Sequence, residues 1–175
     1  MTTIAQTLAS AAKPAYIELY TLDLTPLGGD VLYFTPNVLP NGNPPSFGGQ
    51  EYQPLPIAGE GWASTSDGAP PQPVLKVSNV NRFLQGFLTD YQDMVGARLT
   101  RTLTFDIYLD SGSEPNGSEI FGEQTYLVAQ KTKHSRTEVT FMLVSVIDAP
   151  QCKIPRRVTT RKLFPGVGLF QASGG

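Results

Sequence analysis

A chain of 175 residues has room for one domain of ordinary size plus an arm or tail, and 40% hydrophobic content suffices for a self-standing core. Only 16% of residues are charged, against roughly 25% in an average globular domain, and the net charge of -2 excludes a global basic field for nucleic acid or a strong acidic one for cations. The single cysteine, Cys152, excludes an intrachain disulfide and a cysteine-built metal or iron–sulfur centre within one chain. The first twelve residues lack a basic n-region and a long apolar run, and no segment approaches the length of a membrane span, so a soluble protein without a signal peptide is expected.

In chain order, Ile4, Leu8 and Ala11 share a helical face ahead of Pro14, which predicts a short N-terminal helix or arm over residues 1–14. Tyr16, Ile17, Leu19, Tyr20, Leu22 and Leu24 predict a strand, paired as a hairpin across Gly28-Gly29-Asp30 with Val31-Leu32-Tyr33-Phe34. Between Thr35 and Gln50, Pro36, Pro40, Pro44, Pro45 and several glycines rule out a central strand and predict a long loop of the kind that makes contacts. Glu51 to Ile57 is expected to be short and extended, followed by a second soft stretch from Gly59 to Pro73. Its one large apolar residue, Trp62, is expected to lie as a lid over the open end of a barrel.

Val74 to Asn79 alternates as a strand, after which Asn79 or Asn81 is expected to cap a helix carrying Phe83, Leu84, Phe87, Leu88 and Tyr91 on one stripe. Of these, Phe83, Phe87 and Tyr91 are expected to pack on the sheet. Gly96 ends that region, and Ala97 to Leu109 is the clearest strand, alternating Leu99, Leu103, Phe105, Ile107 and Leu109 with polar residues. A polar turn over 110–122 leads to a last hairpin, 125–132 with 138–147, across Lys133-His134-Ser135-Arg136. The sum is a mainly β domain over 15–150, a barrel or sandwich with one central helix, followed by a tail over 151–175 too poor in apolar pattern to fold alone.

No catalytic, cofactor or metal site is expected. Asp106 and Asp110 share a strand face in this reading, but the roughly 13 Å of rise between them suits neither glycosidase geometry. His134, the only histidine, sits at a hairpin tip that cannot hold a base rigidly, and Cys152 has no second histidine to activate it. The segment 110–114 lacks the spaced oxygens of a calcium loop. Charge distribution says more. Every acidic residue lies at or before Asp148, so Lys153, Arg156, Arg157, Arg161 and Lys162, together with Phe164, form a cationic end. Without interleaved aromatic platforms it is read as a protein contact rather than a nucleic-acid site. The runner-up function is a carbohydrate- or receptor-binding β-sandwich, which requires Trp62, Tyr33 and Tyr52 exposed on one surface.

Five blocks in register carry a resemblance: Leu22-Asp23-Leu24-Thr25-Pro26-Leu27-Gly28-Gly29 with Tyr33-Phe34, Tyr52-Gln53-Pro54-Leu55-Pro56-Ile57-Ala58-Gly59, Val77-Ser78-Asn79, Asp93-Met94-Val95-Gly96, and Tyr108-Leu109-Asp110. With a closing Leu163-Phe164-Pro165-Gly166, the chain resembles the phage lambda minor tail protein L family across nearly its whole length. The resemblance implies a tail-tube-like β fold in a siphophage tail tip or baseplate hub, between the distal ring of the tail tube and the central hub that bears the host-specificity protein. It implies a homotrimer, with a homohexameric ring as the alternative, that passes DNA transiently through a channel and resides in the virion after assembly in the host cytoplasm. In the lambda member a cysteine-bearing domain holding an iron–sulfur cluster follows the Phe-Pro-Gly block. Only nine residues follow Gly166 here, with no cysteine among them, so the cluster is not carried over and the resemblance is to the N-terminal domain.

Overall fold

A computed structural model describes residues 14–40, 42–62, 71–80 and 82–146. The expected N-terminal helix, the candidate cap Asn81 and the basic tail lie outside them.

Two edges joined by two residues decide the architecture. The strands are β1 (Tyr16–Asp23), β2 (Val31–Thr35), β3 (Ser46–Phe47), β4 (Gln50–Glu51), β5 (Gln53–Pro54), β6 (Ile57–Glu60), β7 (Val74–Ser78), β8 (Arg98–Phe105), β9 (Gly122–His134) and β10 (Glu138–Ser145). Eight of them form one sheet in the order β5-β2-β1-β8-β9-β10-β7-β6, and β3 and β4 form a separate two-stranded ribbon. The outermost strands β5 and β6 are separated in sequence only by Leu55 and Pro56, so the sheet must curl into a half-barrel to bring its edges together. Leu55 N donates to Thr35 O on one side and Ser78 N donates to Pro56 O on the other, which stitches the seam at 2.8 and 2.9 Å. Ile57–Glu60 is thus a strand, antiparallel to β7, where the glycine and proline density had predicted a soft stretch from Gly59.

The predicted first and last hairpins are present: Leu22 opposes Leu32 across β1 and β2, and Val139 opposes His134 across β9 and β10. The clearest predicted strand ends earlier than alternation suggested, at Phe105, because Asp106–Tyr108 turns as a 3-10 helix. The alternation beyond it is that of a turn packing on a second core.

Pleating gives β1 two buried faces. Tyr20, Leu22 and Leu24 point into the main core with Phe34, Leu99, Val128, Phe141 and Leu143, whereas Ile17 and Leu19 point outward into a second cluster with Phe47, Tyr52, Tyr108 and Leu109. The long proline-rich loop supplies that cover, so it packs on its own domain. It is pinned by Glu18 N to Asn37 Oδ1, Asp110 N to Ser46 O, and Tyr52 N to Pro45 O, each at 2.9 Å.

The helix α1 (Phe83–Asp90) closes the end of the barrel near the β9–β10 turn, burying Leu84 and Leu88 at i and i+4. Phe87 and Tyr91 pack against the same core as expected, half-buried and stacked on each other at 6.3 Å, beside the more deeply buried aliphatic pair; the side chain of Phe83 lies outside the described ones. Of the two candidate caps Asn79 does not cap the helix: the N-cap is Arg82, with no side-chain cap bond, and Asn79 is buried with its Nδ2 donating to Ser135 O. After α1, Gln92, Asp93 and Met94 all take positive φ, a left-handed turn costing about 1 to 2 kcal/mol per residue. Burial of Met94, the Lys131–Asp93 ion pair and a 2.8 Å bond from Gly96 N to Val128 O hold it in place.

Candidate protein-contact site

Strand register brings a polar cluster to the end of the half-barrel opposite α1. Tyr20 opposes Arg101 across β1 and β8, Glu18 opposes Leu103, and Arg101 opposes Gln124 across β8 and β9, so Glu18, Tyr20, Arg101 and Gln124 share the inner face. Arg101 Nη2 meets Glu18 Oε1 at 2.7 Å, its Nη1 donates to Gln124 Oε1 at 2.9 Å, and Tyr20 Oη donates to Glu18 Oε2 at 2.7 Å. The guanidinium lies 4.7 Å from the centre of the Trp62 ring, a cation–π contact that fills the face the carboxylate leaves open. Trp62 also packs against Tyr126 and Tyr20, at 5.5 and 6.2 Å, and so covers this end as the sequence had suggested.

The indole has room only because residue 59 is glycine. A Cβ there would lie 2.3 Å from Trp62 Cζ2. Gly29 works in the same way in the first hairpin, where a Cβ would fall 2.8 Å from Tyr91 Cζ.

Electrostatics in the cluster favour the paired state. Burial pushes the Tyr20 phenol far above its ordinary value, and the neighbouring Glu18 carboxylate adds to that. Burial works to lower the Arg101 pKa, but the hydrogen bond and charge of Glu18, helped by Tyr20 and Tyr16, outweigh it and leave the value raised. Arg101 is therefore locked as a cation and Tyr20 as a neutral donor. The side chain of Arg101 is 10% exposed and that of Glu18 25%, so this is a mostly dry ion pair whose contribution depends on its hydrogen bonds. Just outside it, Tyr16 and Phe121 are exposed, and Phe121 touches Phe105 at 6.3 Å. Sequence reasoning passed over Arg101 and Glu18, because a lone arginine at an inward strand position and a carboxylate 83 residues earlier acquire meaning only from register.

The remaining sequence candidates are dispersed. Asp106 and Asp110 do not share a strand face: Asp106 starts the 3-10 turn, and Asp110 spends its carboxylate on the backbone N–H groups of Gly48 and Gly49, at 3.1 and 3.0 Å. His134 is exposed at the end of β9, and no group of three metal-ligating side chains occurs among the described residues. Trp62 belongs to the main core whereas Tyr33 and Tyr52 pack edge to face at 5.5 Å in the second one, so the three aromatics of the sugar-binding alternative form no common surface. Among the described residues the barrel interior encloses a wholly apolar void of about 20 Å³, lined by residues such as Leu22, Phe34, Leu99 and Phe141, too small and too dry for a ligand. Lys153, Arg156, Arg157, Arg161, Lys162 and Phe164 lie outside the described residues.

The blocks singled out in the sequence have structural duties. Asp23 Oδ1 accepts from both Thr25 N and Thr25 Oγ1, at 2.9 and 2.6 Å, which starts the hairpin turn and holds the Asp23 carboxyl below its usual range. Gly59 seats Trp62, Asp93 anchors the left-handed turn, and Asp110 ties the long loop to the second core.

The family model described as phage minor tail protein L matches residues 25–166. The tail tip protein L of Escherichia phage lambda is 27% identical over 153 residues, a match covering 85% of this chain and 66% of that protein, just under two thirds of its length. The chain belongs to the phage minor tail protein L family.

Proposed function

We propose that this protein is a structural subunit of a siphophage tail tip or baseplate hub, linking the distal ring of the tail tube to the central hub and forming part of the DNA channel, and that it catalyses no reaction. The observation that carries this reading is the family match over residues 25–166, on a domain whose matched blocks form turns, a barrel seam and two packed cores. Its neighbours are other tail proteins, its copy number is three, with a six-membered ring as the alternative, and DNA meets it only in transit. Residues 15–150 act as the hub domain. The tail over 151–175, through Lys153, Arg156, Arg157, Arg161, Lys162 and Phe164, docks on a neighbouring subunit whose acidic surface complements it. The loop over 36–49, which covers the second core with one side and leaves Val38 exposed on the other, is the second contact.

Cryo-electron microscopy of the intact tail tip tests the placement. Three copies between tube and hub are expected; absence of the chain from the particle refutes it. Removal of residues 151–175 is expected to abolish incorporation into tails, and unchanged incorporation refutes the contact assignment.

A further inference from the structure

At the end of the half-barrel opposite α1, three residues form an apolar strip outside the Glu18–Arg101 cluster. Tyr16, Ile120 and Phe121 are 41%, 36% and 49% exposed, and Tyr16 and Phe121 are the two aromatic residues among the exposed large hydrophobics of the described chain. Register makes them neighbours. Tyr16 opposes Phe105 across β1 and β8, the Phe105 and Phe121 rings lie 6.3 Å apart, and Phe121 N donates to Leu103 O at 2.6 Å, so the strip runs from β1 over β8 to the start of β9. Two strand spacings of about 4.8 Å give it a length of about 10 Å. The chain enters the fold at one end of the strip: Asp106 N donates to Ala15 O at 2.9 Å and fixes the backbone just before Tyr16, so residues 1–13 join the described chain beside the exposed rings.

Residues 2–12 carry no charged side chain, and Ile4, Leu8 and Ala11 share one face of the helix that their spacing predicts. From Ile4 to Ala11 that face spans about 10 Å, the length of the strip. Four residues separate Ala11 from Tyr16, a tether of at most about 18 Å, so the face reaches every part of it. Lys13 is the one charged side chain among residues 1–14, and Asp106 and Glu119 stand next to Phe105 and Ile120 in the chain. A separate partner suits the strip less well. Its exposed area is of the order of 250 Å², for ring side chains of about 200 Å² each, against roughly 800 Å² per partner in a stable interface. A segment tethered this closely has a millimolar effective concentration and needs no larger contact. We propose that residues 2–12 dock on the strip of their own chain, Ile4 and Leu8 against the Tyr16 and Phe121 rings, with Lys13 beside the two carboxylates. So placed, the segment keeps the strip from associating with other chains until it is displaced. The proposal does not rest on the tail-tip reading.

NMR of the isotope-labelled full chain tests it. Nuclear Overhauser contacts are expected from the Ile4 and Leu8 methyl groups to the Tyr16 and Phe121 rings. They should be absent from the isotope-filtered spectrum of a mixture of labelled and unlabelled chains, which records contacts between copies alone. Leu8→Asp and, from the other side of the contact, Phe121→Ser should each remove them and speed amide exchange of residues 4–12 at least about tenfold, with the core amides of Leu99 and Val128 unchanged. Phe121 is half exposed, so its replacement leaves both cores intact. Absence of the contacts, their appearance in the filtered spectrum, contacts to the strip from residues 147–175 instead, or exchange of residues 4–12 unchanged in both variants overturns the proposal.

Discussion

Glu18 and Arg101 allow the inner-face cluster to be tested quantitatively by a double-mutant cycle. Glu18→Gln leaves a guanidinium that is 10% exposed with only neutral amide acceptors, that of Gln124 among them, and the Trp62 ring in place of its countercharge. Stranding one member of a buried pair costs about 3 to 5 kcal/mol; the partial exposure of Glu18 lowers the expectation here to about 2 to 4 kcal/mol. Arg101→Met keeps most of the stem volume and strands a carboxylate that is 25% exposed and still accepts from Tyr20, so about 1 to 2 kcal/mol is expected, plus about 1 for the lost ring contact. The double variant should lose less than the sum, with a coupling energy of about 1 to 3 kcal/mol. Urea unfolding at pH 7 measures all four proteins, with far-UV circular dichroism as the common probe and Trp62, the only tryptophan, as a local one. A coupling below about 0.5 kcal/mol, the value of an exposed pair, would refute the view that this pair is desolvated and geometrically fixed.

Other outcomes follow from the packing. Leu88→Ala should cost about 2 to 5 kcal/mol in the same titration and Phe87→Ala only about 1 to 2, since Leu88 is 3% exposed and Phe87 half-buried; the reverse order would put the aromatics inside. Gly59→Ala should displace the indole, lowering stability by about 1 to 3 kcal/mol and shifting Trp62 emission to the red, and unchanged emission would mean that the ring does not lie on residue 59. Burial raises the phenols of Tyr16, Tyr20, Tyr52 and Tyr126 in the folded state, so they favour the fold fully below the unfolded value of about 10. That contribution is lost as pH rises past 10 toward the folded values. Stability should therefore fall from about pH 10 upward, more gently in Tyr20→Phe, and tyrosinate absorbance should rise together with unfolding; a complete rise while the chain stays folded would refute it.

The sequence by itself determined the elements that local chemistry dictates. Alternation marked β1, β7 and β8, the Gly28-Gly29-Asp30 and Ser135-Arg136 turns marked two hairpins, and apolar spacing marked α1. The family, too, was legible from the quoted blocks, in which Gly59 seats Trp62, Asp93 anchors a turn and Asp110 ties down the long loop. What only the tertiary structure decided was everything set by register and closure. That Leu55 and Pro56 join the sheet's two edges, that Leu84 and Leu88 are buried more deeply than Phe87 against the same core, and that the proline-rich loop covers a second cluster are consequences of the curled sheet as a whole. The Glu18–Arg101 pair belongs with them. Its partners lie 83 residues apart, and nothing in either local sequence records the pairing of β1 with β8 that puts them on one face.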